Sequence, residues 1–270
     1  MNKNTRPKYR FDFLDIFRGL LVISMVIYHF FWDLVFLKGV DWPWYRNYTT
    51  PARLWQTFMR FFFIFVSGYC LNLSKRSLKR GLELTGCGAL ITVVTLIVLP
   101  DNPIIFGVLT FLGAATLIGS PIKAYYKGGP IQSAVLFMLS VIFYVFLRGV
   151  SQGYVGIMFH PLKVLPFSWY NGYFMTFLGF VAPDFWSTDY VPLLPWIFVY
   201  FMGFFLGRIT LPYLRERQLR QVSTGAAPKK LLPDPIRNPL IWVGRHALII
   251  YMIHQPILAG ITYLLIYLDK

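Results

Sequence analysis

Apolar residues in this chain are grouped in runs of about twenty, separated by shorter polar segments. A run of that length forms a helix that can cross the hydrocarbon core of a bilayer. The pattern predicts seven membrane-spanning helices, at 17–38, 53–72, 84–100, 103–120, 131–148, 191–211 and 240–266. We therefore expect an all-α, polytopic membrane bundle that forms a single transmembrane domain over residues 1–270.

The composition agrees with a membrane protein. Of the 270 residues, 56% are hydrophobic and 14% are charged, which is too apolar for a soluble domain. The first apolar run follows four basic residues, as in a signal peptide, but it is too long for one and no small-residue cleavage site follows it. We expect it to be retained as the first span.

The net charge of +15 comes from Lys and Arg that lie mostly on one side of the predicted membrane. With a cytoplasmic N-terminus, the inner segments hold 16 Lys and Arg, the outer segments hold 4, and six more lie in or beside the spans. This bias follows the positive-inside rule. It predicts a multi-pass protein of a bacterial-type inner membrane with the N-terminus in the cytoplasm, and it accounts for the basic charge without nucleic acid.

Two connecting segments require separate interpretations. The stretch 168–183 is apolar enough to touch the membrane, but counting it as a span would place the basic segment 212–239 outside. We expect 168–183 to be re-entrant or to lie on the outer face. Residues 212–239 are basic and contain several prolines, which predicts a flexible cytoplasmic loop.

The two cysteines, Cys70 and Cys87, indicate neither a disulfide framework nor a zinc site.

The predicted outer loops carry many aromatic residues, which are Trp42, Trp44, Tyr45, Tyr48, Trp169, Tyr170, Tyr173, Trp186 and Tyr190. Trp and Tyr are typical of the belt at the lipid headgroups. The same side chains could form a platform that stacks on sugar rings. The sequence leaves both interpretations open.

The first predicted span carries three ionisable residues, Arg18, His29 and Asp33, although such groups are costly in a membrane. The spacing of Arg18 and His29 places them on one helix face, about 16 Å apart along the axis. His29 and Asp33 lie one turn apart on that face. Singly, each has a structural explanation: snorkelling for Arg18, capping or solvation for Asp33, and hydrogen bonding for His29. Together they predict a polar cavity inside the bundle.

This arrangement is the one that a general base requires. A carboxylate one turn away can hold the second N–H of a histidine ring and stabilise the imidazolium that forms when the ring accepts a proton. We therefore assign His29 as the candidate catalytic base and Asp33 as the residue that orients it. Arg18, near the predicted cytoplasmic mouth, suits the phosphates of a nucleotide-like acyl carrier.

Two other classes of protein remain as alternatives. A proton-coupled membrane transporter could use His29 and Asp33 as a proton relay. A non-catalytic membrane scaffold is the third class, but it would not need three ionisable residues on one helix face.

The stretch LDIFRGLLVISMVIYHFFWDL, residues 14–34, resembles the first helix of bacterial proteins related to the heparan-alpha-glucosaminide N-acetyltransferase catalytic domain. Arg18, ten residues and then His29 also resemble the arginine-x10-histidine signature of membrane acyltransferases that O-acetylate surface polysaccharides. The resemblance continues in order through FFFIFVSGYCL (61–71), IIFGVLTFLGAATL (104–117), DYVPLLPWIFVYFMGFFLGR (189–208) and GRHALIIYMIHQPIL (244–258).

The resemblance implies acyl transfer across a membrane, from cytoplasmic acetyl-CoA to a hydroxyl or amine of a sugar or glycan on the far side, without a metal. Its matching positions are Arg18, His29, Asp33, Asp189, Arg245 and His254. The chain also departs from the family pattern. Relatives often have a histidine after FGVL, where this chain has Thr110, so a second catalytic histidine cannot be assumed there.

Several later residues are candidates for the cavity. Arg245 could share the donor with Arg18, although topology also explains it. The candidates for the cavity or the acceptor side are His254, Arg60, Asp189 and Trp196. A helix-packing role explains His254 equally well, and Arg60 needs a partner such as Asp15 or Asp33. The expected partners are acyl-CoA, a sugar or glycan acceptor and membrane lipids, with a homo-oligomer left open.

Overall fold

The computed structural model describes residues 11–47, 49–157, 160–224 and 232–269. Within these ranges the helices are α1 (Asp12–Phe36), α2 (Pro43–Arg46), α3 (Thr50–Leu71), α4 (Ser77–Val98), α5 (Val108–Tyr125), α6 (Pro130–Phe146), α7 (Gly172–Leu178), α8 (Leu193–Ser223), α9 (Asp234–Arg245) and α10 (Ala247–Leu268). One antiparallel hairpin joins β1 (Tyr154–Ile157) to β2 (His160–Val164). Helices α1, α3, α4, α5, α6, α8 and α10 are long and apolar enough to cross a membrane, which confirms the predicted bundle.

The chain forms two compact units, one of Met1–Phe63 with Tyr213–Lys270 and one of Ile64–Pro212. In the first unit, α1 packs against both α9 and α10. The contact with α9 is made through glycine. A Cβ on Gly19 would lie 2.2 Å from the Leu240 carbonyl oxygen, and a Cβ on Gly244 would lie 1.9 Å from the Asp15 carbonyl oxygen. The backbones of α1 and α9 therefore approach more closely than any side chain at these two positions would allow.

Helices α1 and α10 run in the same direction. Their contacts pair His29 with His254, Asp33 with Gln255 and Lys38 with Asp269, so the residue numbers rise together along both helices. In a chain that crosses a membrane repeatedly, successive spans alternate in direction. If α1 is counted as the first span, a span with the same direction as α1 must have an odd number. This agrees with seven spans and with a segment 168–183 that does not cross.

An aromatic cluster fills the space between α1, α2 and α3 in the first unit. Tyr45 is 3% exposed, and its hydroxyl donates to the Tyr28 carbonyl oxygen at 2.8 Å. The Trp55 indole N–H donates to Ser24 Oγ, also at 2.8 Å. Trp42 packs against the same cluster. Tyr45 and Trp42 therefore serve as packing residues, whereas Trp44 stays 39% exposed and Tyr48 lies outside the described residues.

The second unit also depends on small residues between helices. In the antiparallel pair α4 and α5, a Cβ on Gly88 would meet Thr110, and a Cβ on Gly113 would meet Thr85. Where α8 meets the end of α3, a Cβ on Gly203 would lie 1.9 Å from the Phe65 carbonyl oxygen. Close helix packing is thus the role of Gly203, and small residues at such interfaces are typical of membrane helices.

The described residues between α6 and α8 form no helix long enough to span a membrane. It consists of short helical turns, the β1–β2 hairpin and the seven-residue helix α7. The Tyr190 hydroxyl donates to the Thr176 carbonyl oxygen at 2.5 Å and thereby ties the end of this segment to α7. Burial raises the pKa of the Tyr190 phenol well above its usual range, so this donor stays protonated. The hairpin has no counterpart among the sequence predictions.

The described residues correct the predicted boundaries of the loop 212–239. Residues 212–223 continue α8, because Leu, Arg, Glu and Gln favour a helix and Glu216 pairs with Arg220 one turn on. Residues 234–239 lie in α9, and 225–231 lie outside the described ranges, as do the basic residues of 1–10. The span predicted at 240–266 begins later, at Ala247, because residues 240–245 belong to α9 and the helix is interrupted at His246.

We predict that Gly244→Ala lowers the free energy of unfolding by about 1–3 kcal/mol, because the added methyl group forces α9 away from α1. The matched control is Gly260→Ala in α10, where a Cβ meets no atom within 4 Å. That control should be neutral or stabilising, since alanine favours a helix more than glycine does. Thermal unfolding of the purified protein in detergent measures both. Equal melting temperatures for the two variants would contradict the close contact.

Candidate functional site

Arg18 and Arg245 converge on one carboxylate in the first unit. Arg18 Nη1 lies 3.4 Å from Asp15 Oδ1, and Arg245 Nε lies 3.4 Å from Asp15 Oδ2. Arg18 Nη1 also donates to the Gly244 carbonyl oxygen at 3.2 Å. The two arginines that the sequence places more than two hundred residues apart therefore meet at the start of α1.

The two glycines explain why these arginines meet. Arg18 precedes Gly19 in α1, and Arg245 follows Gly244 in α9. Because the helices touch at Gly19 and Gly244, the neighbouring guanidinium groups are brought to the same side chain, Asp15. Asp15 is 13% exposed at its side chain, so this pairing is shielded from water on most sides.

A second carboxylate extends the cluster. Asp12 pairs with Arg237 of α9, and one of its oxygens lies 4.0 Å from Arg245 Nη2. Asp12 and Asp15 also lie in the first turn of α1, where the helix dipole favours negative charge. Asp234 of α9 also pairs with Arg237, so three arginines and three aspartates meet at this end of α1.

Farther along the same helix pair, two histidines face each other. The ring centroids of His29 in α1 and His254 in α10 are 5.0 Å apart, with the ring planes inclined by 59°. His254 is 8% exposed, while His29 is half-buried. The structure therefore brings together the residue predicted as the base and a residue predicted only as a cavity neighbour.

Asp33 is held by α10. It is completely buried, and its Oδ1 accepts a hydrogen bond from Gln255 Nε2 at 2.8 Å. Its second oxygen, Oδ2, has no hydrogen-bond partner within the described ranges of the chain. A buried carboxylate oxygen without a partner is uncommon in proteins and is one of the features that mark functional sites. Asp33 lies one turn from His29, as predicted, so Oδ2 is an acceptor close to the histidine pair.

Residues 10–256 match the family model described as heparan-alpha-glucosaminide N-acetyltransferase, catalytic. The chain belongs to this family. The match covers α1 with Arg18, His29 and Asp33, and it extends into α10 as far as His254 and Gln255. Membership in the heparan-alpha-glucosaminide N-acetyltransferase family, together with seven apolar helices, makes the chain a membrane acyltransferase. No curated protein and no solved structure matches the chain.

The remaining predicted site residues have different surroundings. Asp189 belongs to the second unit, where its Oδ2 lies 3.4 Å from the backbone N–H of Val108 at the start of α5. It contributes to the capping of that helix. Trp196 also belongs to the second unit and contacts the Tyr144 ring at a centroid distance of 5.8 Å. Arg60 is half-buried in α3. The roles assigned to these three residues stay predictions.

Among the residues that the structure describes, no group of three or more His, Cys, Asp or Glu is placed to hold a metal ion. Cys70 and Cys87 are not joined by a disulfide bond.

Sequence reasoning overlooked Gln255, Asp12 and Arg237, and it named Asp15 only as a possible partner of Arg60, not of Arg18 and Arg245. Gln255 had a signal, because it is a polar residue next to His254 inside an apolar run. Asp15 also had one, since it lies three residues before Arg18 on a helix and can pair with it. Arg237 had none, because it lies in the segment predicted as a loop.

We predict that Gln255→Leu lowers the free energy of unfolding by about 1–3 kcal/mol, because it leaves the buried Asp33 Oδ1 without its donor. Asp33→Leu should also be destabilising, since it leaves the Gln255 amide without its acceptor. The double variant Asp33→Leu/Gln255→Leu removes both polar groups and should recover most of the loss. Thermal unfolding of the four proteins completes a double-mutant cycle. If the free-energy losses of the two single variants simply add in the double variant, the side chains of Asp33 and Gln255 do not interact.

Proposed function

We propose that this membrane acyltransferase moves an acyl group, in the simplest case acetyl, from cytoplasmic acyl-CoA to a hydroxyl or amine of a sugar or glycan on the opposite side of the membrane. The observation that carries the proposal is the polar line along α1. It leads from arginines at the start of the helix, through the His29–His254 pair, to the buried Asp33. Family membership supports the acetyl donor and the sugar acceptor.

His29 is the proposed general base. Its ring lies in the first unit beside a second imidazole, and Asp33 Oδ2 lies one helical turn away. A base of this kind takes the proton from the acceptor hydroxyl or amine as that group attacks the carbonyl carbon of the thioester. Asp33 acts on the imidazole by accepting its second N–H, which fixes the tautomer and stabilises the positive charge. The Gln255 hydrogen bond holds Asp33 in place for this purpose.

The arginines at the start of α1 are the proposed donor site. Phosphate groups bind best where guanidinium groups converge, and Arg18 and Arg245 converge at Asp15. Guanidinium groups form charge-assisted hydrogen bonds with phosphate, which favours the anionic carrier over a neutral sugar. The positive-inside distribution of Lys and Arg supports a cytoplasmic location for this end of the helix. Acceptor and donor would thus enter from opposite sides and meet near His29.

We predict that His29→Ala lowers the turnover of acyl-CoA with a sugar acceptor by about 10² to 10⁴, the usual effect of losing a positioned proton acceptor. Binding of the donor should stay nearly unchanged. Asp33→Asn should lower turnover less, since it disturbs the orientation of the imidazole without removing it. His160→Ala is the matched control, because His160 lies exposed in β2. Steady-state release of free thiol measures turnover, and calorimetry measures donor binding.

Two results would contradict this function. Near-normal turnover in well-folded His29→Ala protein would exclude His29 as the base. A purified wild-type protein that never cleaves the thioester, yet moves a solute in strict dependence on a proton gradient, would instead identify a transporter.

We predict that Arg18→Ala raises the Michaelis constant for acyl-CoA about tenfold or more, because a hydrogen bond to a charged group contributes about 1.5–3 kcal/mol. The Michaelis constant for the acceptor should change little. Arg46→Ala is the matched control, since Arg46 pairs with Asp41 on an exposed loop. Steady-state kinetics with each substrate varied in turn gives both constants. A change confined to the Michaelis constant for the acceptor would contradict the role of Arg18 in binding the donor.

A further inference from the structure

The tautomer of His254 follows from its hydrogen bond. Nδ1 of the ring lies 2.6 Å from the carbonyl oxygen of Tyr251. A carbonyl oxygen only accepts hydrogen bonds, so the hydrogen must be on Nδ1. In the neutral ring the lone pair is then on Nε2. This nitrogen is buried, and the ring that carries it lies 5.0 Å from the His29 ring, centroid to centroid.

His246 makes the same kind of hydrogen bond, to Trp242, but of these two rings it is that of His254 that lies against the imidazole of His29. The hydrogen bond to Tyr251 lies within one turn of α10, so the helix itself holds the ring. Holding Nδ1 as a donor keeps Nε2 as the basic atom. When a histidine acts as a base, the hydrogen bond on its other nitrogen decides which nitrogen accepts the proton. The arrangement thus meets the requirement of a second proton acceptor beside the first.

We infer that His254 is a relay residue that accepts the substrate proton from His29 through Nε2 and returns it to the leaving group. This inference rests on the proposed function. It adds a second histidine to the catalytic step, taken from the last helix of the chain.

The relay conserves atoms and charge. The O–H or N–H bond of the acceptor breaks while its oxygen or nitrogen bonds to the acyl carbon, and the proton passes to the His29 ring. The same nitrogen of His29 then passes this proton to His254 Nε2, which gives an imidazolium, while the other N–H of His29 stays bonded to Asp33. The carbon–sulfur bond of the thioester breaks, and the sulfur leaves with the electron pair. The thiolate receives the proton from His254, so both rings return to neutral and the products are the acylated acceptor and the free thiol.

Two kinetic measurements test the relay. The first compares His29→Ala, His254→Gln and the double variant by turnover. If the two histidines act as one unit, each change lowers turnover by a similar factor of about 10² to 10⁴, and the double variant is no worse than the single ones. The second measurement is the dependence of wild-type turnover on the fraction of deuterium in the solvent. When both protons of the relay move in the same rate-limiting transition state, the dependence is curved, and His254→Gln should make it linear.

Two further measurements keep the test independent of folding. Ring nitrogen chemical shifts of the wild-type protein report directly whether Nδ1 of His254 carries the hydrogen. The control His246→Gln changes a histidine that hydrogen-bonds to Trp242 at the preceding helix end, and it should leave turnover unchanged. Melting temperatures and donor binding show which variants are folded.

Each contrary outcome has a definite meaning. The relay would be overturned if His254 of the wild-type protein carried its hydrogen on Nε2. It would also be overturned if the two single-variant losses of turnover multiplied in the double variant. Either result would leave His29 as the base. A wild-type protein that transfers no acyl group would instead contradict the proposed function, and the relay with it.

Discussion

The first unit depends on the contact between the backbones of α1 and α9 at Gly19 and Gly244. A methyl group at either position would collide with a carbonyl oxygen, so the distance between these helices is set by the absence of two side chains. The contact brings Arg18 and Arg245 to the same carboxylate. Since α10 begins at Ala247, three residues after Gly244, the same contact also determines where the last helix starts. The position of His254 beside His29 follows from it.

The polar residues of α1 illustrate how an apolar bundle accommodates ionisable groups. In a membrane such groups persist where neighbouring helices supply partners and exclude lipid. Here Asp33 has the Gln255 amide, His29 has the His254 ring, and Arg18 has Asp15 and a backbone carbonyl. Two of these four partners come from α10. The pairing of the first helix with the last is therefore both the structural and the chemical centre of the first unit.

The sequence predicted the elements well and their contacts poorly. Runs of apolar residues are direct evidence for spanning helices, and the spacing of Arg18, His29 and Asp33 determines which of them share a helix face. Periodicity does not reveal which other helix that face meets. The hydrogen bond between Asp33 and Gln255 joins residues 222 positions apart, and nothing in a single sequence links them. The aromatic residues near α2 show the same limit, since composition alone suggested a lipid belt where Tyr45 is in fact buried.

The predicted boundaries of the helices near the C-terminal end were wrong for a different reason. Residues 212–223 are polar, and polar segments between spans were expected to be loops, yet a helix can extend beyond the membrane when its residues favour helical structure. The break at His246 was hidden because α9 and α10 both contain apolar residues. Asp234 and Arg237 distinguish α9 from a span, but they lie in the segment that was predicted as a loop.

The pairing of α1 with α10 also has a consequence for biosynthesis. The ribosome makes α1 before α10, with Asp33 and Gln255 separated by 222 residues. At a synthesis rate of about 5–20 residues per second, roughly ten to forty seconds pass between them. During that interval α1 resides in the membrane before its hydrogen-bonding partner exists. Until α10 is made, the charge of the Asp33 carboxylate must be stabilised by contacts with the translocon or removed by protonation.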